Sequence, residues 1–471
     1  MPRKTEVLPD LPRVMITGPR GIRTIELDEE LLTDIRELIH EDARAILVNI
    51  LADLHAADLA DLLESLDEED RQYVLGLLSP QVASEVIPEL TEGLRESLVP
   101  TLKTETIAQI VSELESDDAA DLIAILPDNV ATRVLRALST EDAAKVRHLL
   151  RYPEDTAGGI MALEVLTVPR NDTVKTAISK VRRSAKQGFK MHNLYVVDDE
   201  DRLVGFLPVG DLVLQGPGRR MSTVMDPQVI SVRSDMDQEE VANLMRKYDL
   251  VSVPVVSDLG AVIGRITVDD IVDVIQEEAT EDIERMAGLA GSEEISTSVF
   301  ETSRIRLPWL LVGFAGEMLS ALVLSSFQAS LEEIIAAAFF IPIIMAMGGN
   351  AGIQSSAIVV RGLATGEVRM AQTGKRLGKE VGIALLNGVI LSMLIFLVSY
   401  LWLGDIRFGI TVASALLVVV INASLVGASV PLLMDRIKVD PAIATGPFIT
   451  TTNDALGLLI YFGIMSVLYN T

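Results

Sequence analysis

The stretch Pro342-Ile-Ile-Met-Ala-Met-Gly348-Gly349-Asn350-Ala-Gly352-Ile-Gln354 lies inside a mostly apolar run covering about 334–360. A run of that length can cross a bilayer as one helix, for which roughly 20 residues suffice. Proline removes a backbone donor, and the glycines permit bending or close packing. A local distortion here would free backbone carbonyls, which is tolerable only where they line protein or water. Four further runs of the same kind, about 308–326, 381–403, 408–434 and 444–468, make five expected spans. An odd number puts the two termini on opposite sides.

Charge divides the chain at the first span. The 471 residues carry a formal net charge of −27 and no cysteine. From Leu307 onward, 8 Lys+Arg face 9 Asp+Glu, a net of −1, so the first 306 residues hold −26. A balance this acidic argues against nucleic-acid binding, whose footprint is basic. The missing cysteines exclude disulfides, thiolate metal sites and cysteine nucleophiles. With the N-terminus inside, the inner flanks carry Arg304, Arg306, Arg361, Arg369, Lys375, Arg376, Lys379, Arg436 and Lys438, and the outer loops only Arg407. This is the positive-inside asymmetry. No apolar run near the start reads as a signal peptide. The soluble part is therefore expected in the cytoplasm, with the protein multi-pass in the plasma (inner) membrane and its C-terminus outside.

Residues 1–30 are rich in Pro, Arg and Gly and read as a tail. Residues 31–155 show apolar spacings of three and four, punctuated by prolines, with Ser79 and Ser139 as N-cap candidates. Leu54-His-Ala-Ala-Asp58-Leu-Ala-Asp61-Leu-Leu is echoed 60 residues later by Leu114-Glu-Ser-Asp-Asp118-Ala-Ala-Asp121-Leu-Ile. Short helical units repeating in this way predict a small superhelix.

Residues 156–276 change to a β-rich pattern in two halves. Leu194-Tyr-Val-Val-Asp198 followed by Leu203-Val-Gly205-Phe-Leu is matched by Val253-Pro-Val-Val-Ser257 followed by Val262-Ile-Gly264-Arg-Ile. These halves resemble a tandem pair of cystathionine-β-synthase-type (CBS) modules. The second ends Gly264-Arg-Ile-Thr267-Val-Asp-Asp270, which fits the family's Gly-x-x-(Ser/Thr)-x-x-Asp ending. The resemblance implies that ATP or another adenine nucleotide could be held by Thr267 and Asp270. The first half has Pro208 where the hydroxyl residue is expected. A dimerising scaffold without nucleotide is the alternative. Residues 277–306 read as one linker helix, opening on Glu277-Glu278-Ala-Thr-Glu281-Asp282 and broken near Gly288 and Gly291. Residues 307–471 form the membrane domain.

Polar groups punctuate the spans: Glu317, Asn350 with Gln354, Asn387, Asn422, and Asn453 with Asp454. An intramembrane carboxylate is costly and usually faces a pathway or a partner. Asp454 follows Thr450-Thr-Thr-Asn453, with Gly457 one turn on, so oxygen ligands and close helix approach are both available. Glu317 fits buried glue and a pathway equally well.

Three features together resemble the MgtE family of magnesium transporters and channels, over roughly residues 31–469. They are the domain order, the Pro342-x5-Gly-Gly-Asn-Ala-Gly-x-Gln motif, and Asp440-Pro441 ahead of Thr450-Thr-Thr-Asn-Asp454-x-x-Gly457. The resemblance implies a multidomain fold: an α-helical superhelical N-domain, an α/β tandem CBS pair, a linker (plug) helix and a five-span α-helical membrane domain. It implies a homodimer in the lipid bilayer, not an enzyme, with Mg2+ as both substrate and regulator. In the pathway, Asp454 would be the main pore ligand for Mg2+. Asn350, Gly348, Gly349, Gln354, Thr450 and Gly457 would lie near it, acting on an ion that sheds its water reluctantly. A cytoplasmic Mg2+ sensor would draw on Asp270, Asp273, Glu278, Glu281 and Asp282, on Asp249 in the same module, and on Asp117 and Asp121 of the helical domain. Glu85 and Glu239 join by weaker local matches.

Two rival readings remain at this stage: a transporter of another divalent ion such as Co2+, and a nonconducting CBS-based nucleotide sensor in the membrane. The spans contain no imidazole or thiolate for softer metals. His40, His55, His148 and His192 share no ligand spacing, and no nucleophile–base motif or P-loop occurs.

Overall fold

The computed structural model describes residues 29–186, 191–287, 289, 299–365, 373–444 and 446–469. It divides into two compact units at Val272–Asp273. The tail expected over 1–30 falls outside the described residues, except for its last two.

In the first unit, short helices fill 29–149: α1 (Glu29–His40), α2 (Arg44–Ala52), α3 (Ala56–Ser65), α4 (Glu68–Leu75), α5 (Pro80–Val86), α6 (Glu92–Leu98), α7 (Thr104–Glu113), α8 (Ser116–Ala124), α9 (Asp128–Ala137) and α10 (Thr140–Leu149). The expected caps are present. Ser79 Oγ accepts the Val82 N–H at 3.3 Å and Ser139 Oγ the Asp142 N–H at 3.1 Å, satisfying donors that a first helical turn leaves free. The repeated sequence falls on α3 and α8, placing Asp58 and Asp118 at matching positions. Leu59, Leu62 and Leu63 of α3, and Ala119, Leu122 and Ile123 of α8, are buried.

The two β-rich halves repeat one plan. The first runs β1 (Thr167–Pro169), α11 (Val174–Ala185), β2 (Asn193–Val197), β3 (Leu203–Pro208) and α12 (Val209–Leu212). The second runs β4 (Val232–Arg233), α13 (Gln238–Tyr248), β5 (Ser252–Val256), β6 (Val262–Thr267) and α14 (Val268–Met286). Each sheet has its first strand parallel and its last antiparallel to the middle one. The register break between Val196 and Val197 recurs between Val255 and Val256. Gly205 and Gly264 face those breaks, and each admits a crossing segment. A Cβ on Gly205 would come within 2.7 Å of Asp226 O, and one on Gly264 within 2.8 Å of Ala162 O. Tyr195 Oη and Ser252 Oγ share a buried hydrogen bond of 3.0 Å between the halves.

The linker differs from its expectation. The acid cluster Glu277–Asp282 lies on α14, which begins at Val268. No Gly or Pro interrupts 268–286, so nothing in the sequence stops the helix at 277. Residues 299–306 open α15 (Val299–Ser326), which continues as the first span. The expected break at Gly288 and Gly291 lies outside the described residues.

In the second unit, α16 (Gln328–Glu333) and a 3-10 turn lead to α17 (Ile341–Ala364), followed by α18 (Thr373–Leu403), α19 (Ile406–Arg436) and α20 (Pro447–Tyr469). Among the described residues, five helices are long and apolar enough to cross a membrane. Here α19 packs against α17, α18 and α20, and α20 also packs against α15 and α17. Phe340, Phe408, Val412, Tyr461 and Phe462 centre the core, and Tyr461 Oη donates to Ala337 O at 2.9 Å. Distortion within α17 does not occur. Pro342 sits in its first turn, where a missing N–H costs nothing, and the helix continues through Gly348, Gly349 and Gly352.

Candidate functional site

Two regions collect the residues singled out in the sequence. The first is the packing of α17 against α20, which brings together two motifs about 100 residues apart. Gly349 lies against Thr450, a Cβ there standing 3.8 Å from Thr450 Cγ2. A Cβ on Gly352 would come within 2.1 Å of Asn453 Nδ2. Gly352 thus serves close helix approach, while Gly349 makes an ordinary contact. Gly348 and Gly457 both pack on Val419 of α19, at 3.0 and 3.6 Å from the same positions.

Asp454 is 6% exposed and Asn453 2%. The Asp454 carboxyl is a hydrogen-bond neighbour of Glu317 from α15. The sequence left Glu317 undecided, because nothing local shows which span it meets. Glu317 itself is exposed on the single chain, so this pair of carboxyl groups reaches from the buried Asp454 to the surface of the helix bundle. Asn350 and Gln354 are not part of this pair. Four residues apart on α17, they share an exposed face of the single chain.

The second region is the seam between α8 and the second β-rich half, within the first unit. Asp117 is buried, and burial, followed by the nearby charges of Asp270 and Asp118, raises its carboxyl well above the usual range. Burial, then Asp270 and Asp121, pushes Asp118 up to about 7. Burial also raises Asp270, against the hydrogen bonds that Thr267 donates to it. Thr267 gives its N–H and its hydroxyl to Asp270 Oδ2 at 2.9 and 2.8 Å. Sequence reasoning chose Asp117 and Asp121 and missed Asp118, although the α3–α8 repeat marks it.

Of the other expected sensor acids, Asp121 stays beside Asp118 on α8, and the rest are dispersed. Asp121 and Asp273 are exposed, as are Glu85 on α5 and Asp249, which ends α13 in the left-handed region at φ 52°. Glu239 is half-buried in the first turn of α13. Glu278, Glu281 and Asp282 are half-buried on α14. Arg285 pairs with both Glu281 and Asp440, the latter from the loop between α19 and α20. Burial and the Asp440 charge raise Asp282 to about 6. Among the described residues, no three acidic or histidine side chains converge as a direct ligand set. The donors are all oxygen, which fits a hydrated Mg2+ reaching carboxylates through its water shell.

A cavity of about 500 Å3 opens in the first half, lined by Phe206, Pro208, Asp211, Met225 and Asp226 among others. Its lining contains acids and no basic side chain, so it does not suit a polyphosphate.

Comparison with known proteins bears on both regions. The MgtE divalent cation transporter model matches residues 341–464, the MgtE intracellular N domain 54–155, and the CBS domain 157–215 and 221–277. The magnesium transporter MgtE of Thermus thermophilus is 36% identical over 451 residues, 94% of this chain and 99% of that protein. The magnesium transporter MgtE of Enterococcus faecalis is 37% identical over 444 residues, covering 94% and 98%. That of Bacillus subtilis is 38% identical over 319 residues, covering 68% and 71%. A crystal structure of the cytosolic domain of the Mg2+ channel MgtE in complex with ATP is 36% identical, with a TM-score of 0.50, and covers 52% of this chain and 99% of that one. Relatives this similar along nearly the whole of both chains place the protein in the MgtE family of divalent cation transporters.

Proposed function

We propose that the chain carries Mg2+ across the cytoplasmic membrane as a homodimer whose pathway is gated by intracellular Mg2+. One observation carries the reading. The Gly-Gly-Asn-Ala-Gly stretch of α17 packs on the Thr-Thr-Thr-Asn-Asp stretch of α20, with Asp454 and Glu317 in contact beside them. In a homodimer, the exposed face bearing Asn350 and Gln354 would turn to the partner copy and the ion rather than to lipid. Asp454 would hold the hydrated ion with Asn350 close by and the backbone of Gly348 and Thr450 beside it, and Gly349, Gln354 and Gly457 would line the pathway. The soluble part, divided as 31–155, 156–276 and 277–306, would lie in the cytoplasm, with the C-terminus of the 307–471 domain outside.

Gating would follow from carboxylate repulsion. At high cytosolic Mg2+, hydrated ions bridge Asp117, Asp118 and Asp270 at the seam and join Asp121, Asp249, Asp273, Glu239 and Glu85 with the acids of α14. The compact arrangement then holds the linker against the pathway. As Mg2+ falls, the acids repel and the linker is released. Moving such an equilibrium from 1:99 to 99:1 needs about 5.5 kcal/mol of differential binding, which several weak ions supply jointly.

Reconstitution tests the transport reading. Mg2+ should enter liposomes containing the wild type and fail to enter those containing Asp454→Ala; equal entry with both would refute it. A second reading adds an adenine nucleotide at Thr267 and Asp270, supported by the ATP complex of the related cytosolic domain. Binding of ATP lost in Asp270→Ala would support it.

A further inference from the structure

The seam between α8 and the second half holds basic side chains among its acids. Arg265 of β6 is 4% exposed. Its Nε donates to Glu164 O at 2.8 Å and its Nη2 to Glu115 Oε2 at 2.7 Å. Its backbone N–H and C=O exchange bonds with Ala162, each 2.8 Å. On the same seam Glu164 Oε2 accepts the Ser116 N–H at 3.2 Å and its hydroxyl at 2.6 Å, and Lys145 Nζ reaches Glu164 Oε1 at 3.3 Å.

The internal repeat supplies a control. Gly205 and Gly264 occupy the same register in the two sheets, so the residue matching Arg265 is Phe206. Phe206 makes the same backbone bridge, to Asp226, that Arg265 makes to Ala162. The strand therefore accepts an apolar side chain at this register, and folding alone does not call for a buried cation. A buried pair can often be replaced by apolar packing without loss of stability. The charge is found in the half that meets the acids of α8.

We infer that Arg265 is a resident cation of the ion-sensing seam, and that it sets the Mg2+ concentration at which the compact arrangement forms. Its guanidinium is held in place by two acceptors from different segments. It offsets Glu115, which otherwise adds its repulsion to Asp270 and Asp269. The bound ions then have less negative charge to overcome. This inference rests on reading the seam as a Mg2+ sensor.

The test is protease protection of the full-length protein in detergent, followed against free Mg2+. Arg265→Met should raise the midpoint by about tenfold or more, the scale of a close charge pair. Glu115→Gln should lower it, because Arg265 then faces the remaining acids with its charge unspent, still held by Glu164 O. Arg265→Lys should lie between Arg265→Met and the wild type. A pair that only held the seam together would raise the midpoint in both Arg265→Met and Glu115→Gln; that outcome, or no shift in either, overturns the inference. If the wild type itself gains no protection from Mg2+, the sensor reading falls, and this inference with it. If the wild type responds but the two variants do not diverge, only this inference falls.

Discussion

Thr267 donates both its backbone N–H and its hydroxyl to a single oxygen of Asp270, at 2.9 and 2.8 Å. That oxygen caps the start of α14, and the carboxyl group adds its charge to those of Asp117 and Asp118. Asparagine keeps an acceptor for the cap and removes the charge. Asp270→Asn should therefore weaken Mg2+-dependent protection with little change in melting temperature. Asp270→Ala should also lose the cap, costing about 1 kcal/mol of stability. Thermal melts and Mg2+ titrations of both variants separate the two effects.

Asp118 predicts a pH dependence. Its carboxyl is raised to about 7 in the seam, against roughly 4 when solvated. The compact arrangement holds its proton more tightly than the opened one. The stability present below about pH 4 is therefore lost as the pH rises towards 7, and changes little above that. Without Mg2+, protection should be stronger at about pH 5.5 than at about pH 7.5. Asp118→Asn should flatten that difference, as followed by digestion at the two pH values.

Glu317 and Asp454 meet from α15 and α20. If Glu317 contributes to the ion site, Glu317→Gln should slow Mg2+ entry by about tenfold, since weakening an ion contact by ~1.4 kcal/mol has that effect. Entry unchanged in Glu317→Gln, at matched protein level in liposomes, would assign the residue to helix packing alone.

Gly427 of α19 faces the backbone of Gly352, whose carbonyl oxygen a new Cβ would meet at 2.3 Å. Backbone cannot yield as a side chain does, so Gly427→Ala should cost about 1–3 kcal/mol. Gly463, with nothing within 4 Å of the same position, is the control. Melting temperatures in detergent should fall for Gly427→Ala and hold for Gly463→Ala.

The spans, the short helices and the duplicated β-rich halves were legible because each is a periodic or repeated pattern. The register break after Val196 even recurs after Val255, as the matched segments imply. The start of α14 was less legible: the change from β-rich to acidic composition suggested a boundary at 277, while the helix follows the absence of a breaker back to Val268. Contacts between distant segments were not legible. Arg265 and Glu115 are 150 positions apart, and neither carries a motif that points to the other. The glycines of α17 read as possible bends because sequence shows their freedom and not the neighbours that fill the space beside them. Lipid favours the unbroken helix, since a freed carbonyl there has no water to bond.

Mg2+ current through the reconstituted protein, recorded while the Mg2+ bathing its cytoplasmic domains is varied, tests the central claim most directly. The account predicts current at low cytoplasmic Mg2+ that shuts off as the ion is raised. It predicts that shut-off is lost when Asp117, Asp118 and Asp270 are together changed to Asn, and that all current is lost in Asp454→Asn. A current indifferent to cytoplasmic Mg2+ in the wild type, or one that persists in Asp454→Asn, would contradict it.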